Sequence, residues 1–332
     1  MILSLGSYLA PYVDPALSPI FPVLGLGYPV LLLCNVLAII AWLLFRSKWV
    51  VLSLLMMVFG YTSCSRLLNV NIADTHSGPT LKVATYNANF SKPIVLTPEE
   101  HREEKEADFQ NYLAEWRELD VLCVQEYGVR TKEYLESAID FPFLYDIPDK
   151  TVAIYSRYPF VAQGTVDFQS NIANACLWVD IVKEQDTIRI YSTHLESNRS
   201  DGQVPDVILE DTPEQMSNSV LLGIVQHHQK FSIERARQAQ LIKAHQQASL
   251  RNSVICGDFN ETPQSYVFTI LKKGMQDSFQ EEGMGIASTF GERIPALRID
   301  HLLVSEKLEV LDHTISRSDF SDHYLVVVDI GL

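Results

Sequence analysis

The chain has 332 residues, with 41 acidic against 26 basic side chains and a formal net charge of −15 at neutral pH. Residues 1–78 hold only Arg46, Lys48 and Arg66 against Asp14 and Asp74, which leaves 23 basic and 39 acidic residues, about −16, in the rest. A segment so acidic is not a general polyanion binder, and duplex DNA is a disfavoured partner. Apolar residues make up 47% of the chain and crowd into the first 64, so the length fits one small membrane region and one large globular domain. The five cysteines (Cys34, Cys64, Cys123, Cys176, Cys256) form no CxxC or Cys/His zinc spacing, so no disulfide framework is expected and the last three read as buried thiols.

Leu24 to Phe45 is an uncharged run of 22 residues, long enough for a bilayer core. Trp49 to Cys64 is a second apolar run of 16. These predict two transmembrane helices, 24–45 and 49–64, within a membrane region of residues 1–69. Met1 to Val13 is apolar but too short to cross, and Pro11, Asp14 and Pro15 break it. Arg46 and Lys48 lie between the two runs and should stay cytoplasmic, which sets the C-terminal domain in the periplasm of a bacterial inner-membrane protein.

Residues 70–80 are polar and read as a linker. Beyond it, short β-branched or apolar segments (Leu81–Tyr86, Val121–Gln125, Val152–Tyr155, Ile188–His194, Val254–Phe259, Ile299–Val304, Tyr324–Ile330) alternate with helical ones, an α/β pattern over 81–332. Thr97-Pro98-Glu99-Glu100 offers a cap, a first-turn proline and a capping-box glutamate for a helix reaching about Trp116. Ser232 is placed to cap a helix running to Leu250, and Thr262-Pro263 to open another. Arg199 to Lys230 reads as a long loop carrying a short amphipathic helix around Val220–Val225.

Polar residues recur where apolar strands end: Thr85-Tyr86-Asn87-Ala88-Asn89, Gln125-Glu126, Thr193-His194-Leu195, Gly257-Asp258-Phe259-Asn260, Arg298-Ile299-Asp300-His301 and Ser321-Asp322-His323. In open α/β sheets such strand-end residues converge on one crevice. Carboxylates, carboxamides and histidines together suit a hard cation and a phosphoryl group.

This ordered set (TYN, QE, THL, GDFN, RIDH, SDH) resembles the endonuclease/exonuclease/phosphatase family over about 250 residues. The resemblance implies a deoxyribonuclease-I-like, four-layer α/β sandwich with two facing mixed β-sheets, and Mg²⁺- or Mn²⁺-dependent hydrolysis of phosphate esters. It implies that Glu126 binds the metal, with Asn87 and Asp322 beside it. Asn89 falls where some members carry an aspartate, so its contribution toward metal or substrate is weaker. His194 is implied to bind the scissile phosphate or assist the leaving group. Asp258 and Asn260 are implied to position the water and hold a phosphate oxygen, and Asp300 to bond His323. Phosphoryl transfer needs positioning, charge neutralisation and an activated water, and these residue types supply them. The base is left open between the His323–Asp300 dyad and Asp258.

Inositol-polyphosphate phosphatases of this family carry an arginine after the GDxN asparagine, where this chain has Glu261, so that subclass is disfavoured. A histidine at the THL block points to the nuclease-I and sphingomyelinase-like branches. The reading is a membrane-anchored phosphoesterase acting on a lipid headgroup or a nucleic acid. A tethered nuclease, or a binding protein on an inactive enzyme fold, is the alternative.

Overall fold

The computed structural model describes all residues except 72–77, 90–96, 170–172, 199–217 and 292–296. Its described residues fall into two compact units. One comprises Met1–Leu67, Glu196–Gln240 and Asn260–Ile270; the other comprises Leu68–Leu195, Leu241–Phe259 and Leu271–Leu332.

The second unit contains two six-stranded sheets. The first sheet is built from β2 (Thr80–Asn87), β3 (Val121–Gln125), β4 (Phe143–Asp146), β5 (Val152–Ser156), β13 (Glu309–Ser316) and β14 (Leu325–Gly331), in the order β13-β14-β2-β3-β5-β4. The second is built from β6 (Phe160–Val166), β7 (Cys176–Lys183), β8 (Asp186–His194), β9 (Asn252–Asp258), β10 (Met275–Asp277) and β12 (Asp300–Ser305), in the order β10-β12-β9-β8-β7-β6. Each sheet is mixed: β2 pairs parallel with β3, and β8 parallel with β9, while the other pairs are antiparallel. A small ribbon joins β1 (Leu68–Val70) to β11 (Met284–Ile286).

The sheets face each other because alternate residues on each strand are apolar, and period 2 sends those to one side. Leu81, Val83, Val121, Cys123 and Ile154 of the first sheet share a fully buried core with Leu177, Val179, Ile190, Val254, Cys256 and Leu302 of the second. Each of the valine, leucine and isoleucine side chains among these contributes about 1.5–3 kcal/mol when fully buried. The outer face of the first sheet is covered by α6 (Glu99–Ala114) and α7 (Val129–Ala138), where Phe109, Leu113 and Leu135 pack with Ala84, Tyr86, Leu122 and Val124. On the outer face of the second, Tyr191 meets His245 at 2.9 Å, near the end of the long α8 (Asn218–Ala248).

The same alternation carries polar residues into the seam at one end. On β2 the inward series runs Leu81, Val83, Thr85, Asn87; on β8, Ile188, Ile190, Ser192, His194; on β9, Val254, Cys256, Asp258. All are buried.

The first unit is helical: α1 (Ile2–Leu9), α2 (Ile20–Leu26), α3 (Tyr28–Leu44), α4 (Val50–Phe59), α5 (Tyr61–Ser65), most of α8, and most of α9 (Tyr266–Lys272). The expected transmembrane helices at 24–45 and 49–64 are both broken. Gly27 ends α2 and α3 starts at Tyr28 with Pro29 in its first turn, and the first run bends by 63° there. Proline lacks the N–H that would continue the ladder. The second run breaks at Gly60, where an added Cβ would lie 2.4 Å from the Tyr8 hydroxyl, and Tyr8 donates to the Met56 carbonyl at 2.9 Å. Among the described residues no single helix is long and apolar enough to cross a membrane; the α2–α3 pair passes that test only together. Gln264 donates to the Ser7 carbonyl (2.9 Å) and to Ser63 (2.7 Å), and Arg66 to the Pro263 carbonyl (3.0 Å).

Three further expectations change. Ser232 lies inside α8 rather than at its start, because the helix already begins at Asn218. The helix expected around Val220–Val225 within the Arg199–Lys230 loop is present but is part of α8, which takes up Asn218–Lys230, and the rest of that stretch lies outside the described residues. The linker begins later than residue 70, since Val70 still belongs to β1.

Gly257 is the most crowded of the described glycines. It has φ 137°, and an added Cβ would lie 1.9 Å from the Thr193 carbonyl oxygen of the neighbouring parallel strand. Gly257→Ala should therefore force β8 and β9 apart and destabilise the protein by more than about 3 kcal/mol. Thermal unfolding of the purified full chain checks this, and a melting point within a few degrees of wild type would refute it.

Candidate active site

Five strand ends meet at the polar end of the seam. Asn87 closes β2, Glu126 follows β3, His194 closes β8, Asp258 closes β9 and Asp300 opens β12. His323 arrives just before β14 through an isolated bridge to Phe290. The strands are antiparallel where β9 meets β12, so Asp258 and Asp300 come opposite each other in register. β8 and β9 run parallel, and that register puts His194 opposite Asp258.

Asn87 links the two sheets. Its Nδ2 donates to Asp258 Oδ2 at 3.0 Å and lies 3.4 Å from Glu126 Oε1. Asp258 Oδ2 lies 3.7 Å from His194 Nε2 and 3.9 Å from His323 Nε2. His323 Nδ1 meets Asp300 Oδ2 at 2.9 Å. Glu126 alone of these is exposed, and it holds φ 50°, a left-handed conformation that is uncommon for glutamate.

Asp322 is half-buried and receives the Ser321 hydroxyl at 3.4 Å. Asn89, also half-buried, lies two residues beyond β2, with no hydrogen bond to the set among the described residues. Asn260 lies two residues past Asp258 with φ 51°, and groups with the first unit.

Several supporting residues have no signal of their own in the sequence. Thr289 is fully buried; its Oγ1 accepts from the N–H groups of Ile299 and Asp300, both at 3.0 Å, and so fixes the start of β12. The Ser321 hydroxyl donates to the Asn87 carbonyl at 2.9 Å and accepts the His323 N–H at 3.1 Å. Phe290 packs edge-on against the His323 ring, 4.9 Å between centroids. Thr151 Oγ1 lies 3.5 Å from His194 Nδ1. Only Ser321 sits inside a motif block, beside the acid and the histidine that carry its chemistry.

The two histidines are set to opposite charge states. Burial pushes His194 down to about 4, against the pull of Glu126, so its imidazole is neutral at neutral pH. Burial also works against charge on His323. There the carboxylate of Asp300, its hydrogen bond, and the charges of Asp258 and Asp322 outweigh burial and push it up to about 10. His323 is an imidazolium at neutral pH.

The donor set fits a hard divalent cation. Glu126 supplies an accessible carboxylate, and beside it the buried Asn87 Oδ1 has no hydrogen-bond partner among the described residues. Asp258, Asp300 and His323 form a second, fully buried group whose potential ligand atoms lie within 4.8 Å of one another. In that group His323 Nδ1 is already committed to Asp300, which suits acid–base work better than ligation.

These features belong to a class of hydrolase in which two facing sheets gather strand-end polar groups. A family model described as the endonuclease/exonuclease/phosphatase family matches residues 84–323, and the chain belongs to that family. A domain of unknown function, DUF8431, matches residues 1–67. A search of curated proteins finds no match.

Among solved structures, the endonuclease/exonuclease/phosphatase from Bacteroides vulgatus is similar at 17% identity, covering 76% of this chain and 99% of that one, with a TM-score of 0.55. D. rerio TDP2 complexed with a single-strand DNA product is similar at 14% identity, 76% and 99% coverage and TM-score 0.54. The mannosyl-6-phosphatase of Bacteroides thetaiotaomicron is similar at 14% identity, 76% and 100% coverage and TM-score 0.52. Identities this low bear on the fold alone. They support the two facing mixed sheets with outer helices.

The charge states predict how stability depends on pH. His194 and His313, the latter pushed down to about 3 by burial, bind their protons more weakly folded than unfolded. The unfolded chain takes up protons near pH 6.5, so stability falls from there down through about 4 and 3, by about 1.4 kcal/mol per pH unit for each histidine. His323 acts in the other direction: its contribution is complete below about 6.5 and is lost as pH rises toward 10. Denaturant unfolding across pH should give a dome. His194→Gln should remove about one proton from the acid slope, and an unchanged slope would contradict the assignment.

Proposed function

We propose that this protein is a membrane-anchored, divalent-metal-dependent phosphodiesterase whose substrates are lipid headgroups rather than duplex DNA. The observation that carries the hydrolase reading is the Asn87–Asp258 bond at 3.0 Å, which joins a carboxylate to the Glu126 side and leaves it between two histidines of opposite charge state. A bound Mg²⁺ or Mn²⁺ held by Glu126, with Asn87 and Asp322 nearby, would supply charge neutralisation on a nonbridging phosphate oxygen.

The remaining steps fall to the chain's own groups. Asp258, the carboxylate between the histidines, orients and deprotonates the attacking water; His323, already protonated, cannot act as that base. The His323 imidazolium, fixed by Asp300, stabilises the phosphoryl charge that builds in the transition state and gives its proton to the leaving oxygen, which departs as an alcohol while Asp258 holds the proton taken from water. Neutral His194 donates a hydrogen bond to the phosphate or leaving-group oxygen. Asn260 and, more weakly, Asn89 contribute amide contacts to the phosphate. Glu126→Gln should lower turnover of a bis-aryl phosphodiester by several orders of magnitude while leaving the melting point near wild type. Full activity in excess EDTA would refute the metal mechanism.

The anchor is supported by the first unit. Val30, Leu33, Leu37, Ile40 and Leu44 on α3, and Val51, Leu54, Val58 and Phe59 on α4, are all exposed. An apolar surface of this kind is unfavourable in water and favourable in a bilayer. Arg46 and Lys48 between the helices favour the cytoplasmic face for that turn of a bacterial inner-membrane protein, with the catalytic domain (81–332) periplasmic.

Substrate choice follows from charge and tethering. An acidic domain repels a polyanion, whereas a headgroup presents one phosphodiester at the surface to which the enzyme is held. The full chain in detergent, assayed with Mg²⁺ in about 0.15 M salt, should hydrolyse phospholipid or sphingomyelin micelles faster than plasmid DNA. Faster cleavage of the plasmid than of every lipid would favour the tethered-nuclease reading. No hydrolysis of any substrate would favour a binding protein on the same fold.

A further inference from the structure

Arg235 is, with Arg298, one of the two largest fully buried side chains among the described residues, and it lies in α8 at 0% exposure. A guanidinium removed from water needs partners for its donors. Nε donates to Glu261 Oε1 at 2.9 Å, and Nη2 lies 2.9 Å from the same oxygen. Nη1 donates to the Glu196 carbonyl and to Asn198 Oδ1, both at 2.9 Å. Ser232, one turn earlier, donates to Glu261 Oε1 at 2.6 Å, and Gln238, one turn later, accepts the Glu196 N–H at 2.9 Å. All of these residues belong to the first unit.

The two segments held by this one guanidinium are the exits of the two motif-bearing strands. Glu196 is the second residue past His194, and Glu261 is the residue after Asn260. Asn260 holds φ 51°, a left-handed conformation that asparagine adopts more readily than most residues and that turns the chain sharply at this point. A buried ion pair is a poor source of net stability compared with apolar side chains of the same volume, so stability is a weak reason for it to be there.

We propose that Arg235, acting through Glu261, is a positioning residue that fixes the backbone and amide of Asn260 for phosphate contact. The proposal rests on the reading of Asn260 as part of the hydrolytic site. The planar fork of arginine spans both segments at once; a lysine is a point charge and cannot.

The test uses the full chain in detergent micelles, with Arg235→Lys, Glu261→Gln and Asn260→Ala. Arg235→Lys should keep a single cooperative thermal transition and lower kcat on a bis-aryl phosphodiester by at least about tenfold, with KM within about twofold. In the Asn260→Ala background the same change should cost nothing further. Losses that simply multiply would reduce Arg235 to a structural role and overturn the proposal. If Arg235→Lys does not fold, Glu261→Gln, which keeps shape and hydrogen-bonding capacity, replaces it in the same cycle.

A second readout does not depend on activity. With ¹⁵N-labelled asparagine, the Asn260 side-chain amide signals should shift or broaden in Arg235→Lys while those of Asn87 stay in place. Unmoved Asn260 signals would overturn the proposal whether or not the protein hydrolyses anything. A wild-type protein inactive on every substrate would instead remove the hydrolase reading, with the amide signals still deciding the positioning.

Discussion

The arrangement of this site depends on a hydrogen-bonded bridge across the seam between the two sheets. Thr85 on β2 donates to Gln125 Oε1 on β3 at 3.2 Å, and Gln125 Nε2 donates to Ser192 on β8 at 3.2 Å. All three are fully buried. Below this layer the facing side chains are aliphatic; above it they are Asn87, His194 and Asp258. A polar group at the edge of a dry core must be paired, and a bridging carboxamide pairs one residue from each sheet at once. It thereby fixes their spacing just where Asn87 must reach Asp258. At the other end, Asp120 has the same function: it accepts the Lys82 N–H at 2.8 Å and the Lys183 ammonium at 2.7 Å.

Given that spacing, the charge states follow from position rather than from residue type. His194 and His323 lie at similar distances from Asp258, and both are buried. They differ in their second partner. His323 has a carboxylate at 2.9 Å; His194 has a threonine hydroxyl at 3.5 Å. Burial wins for one and the ion pair wins for the other. Two identical side chains are thus divided between a neutral hydrogen-bonding role and a cationic one, which is a common way for one pocket to carry two tasks.

The sequence made the central strands and the residues at their ends legible because inward and outward positions there differ sharply in polarity. Val121–Gln125 was read with its observed bounds, and β2, β5, β8, β9, β12 and β14 within about two residues. The edge strands were not legible, and neither was β7, which lies inside its sheet. β6 alternates half-buried and exposed positions, and its Val161 is 57% exposed, so the apolar pattern that marks a strand is inverted there. β4 is half-buried throughout. Ser232 looked like a helix cap because serine before an apolar run often is one; its hydroxyl serves Glu261 instead, a tertiary contact no local pattern encodes. Composition counts the apolar residues of the membrane runs but does not register that a new helix starts at Tyr28 with Pro29 in its first turn, or that Tyr8 crowds Gly60.

Thr289 and Phe290 show why the rest of the site was out of reach. Neither has ligand chemistry, and both lie in a short segment that pairs in three directions: the Thr289 N–H donates to the Leu297 carbonyl, the Thr289 carbonyl accepts from Tyr324, and Phe290 bridges to His323. The segment ties the start of β12 to the start of β14, and so sets Asp300 against His323. Acid and imidazole sit 23 residues apart along the chain, yet their geometry is decided by a threonine that comes before both. Residues that carry charge announce themselves by type. Residues that aim the charge are recognised only by what they touch, which is why a motif can identify the reacting groups of this family and still omit the contacts that make them a unit.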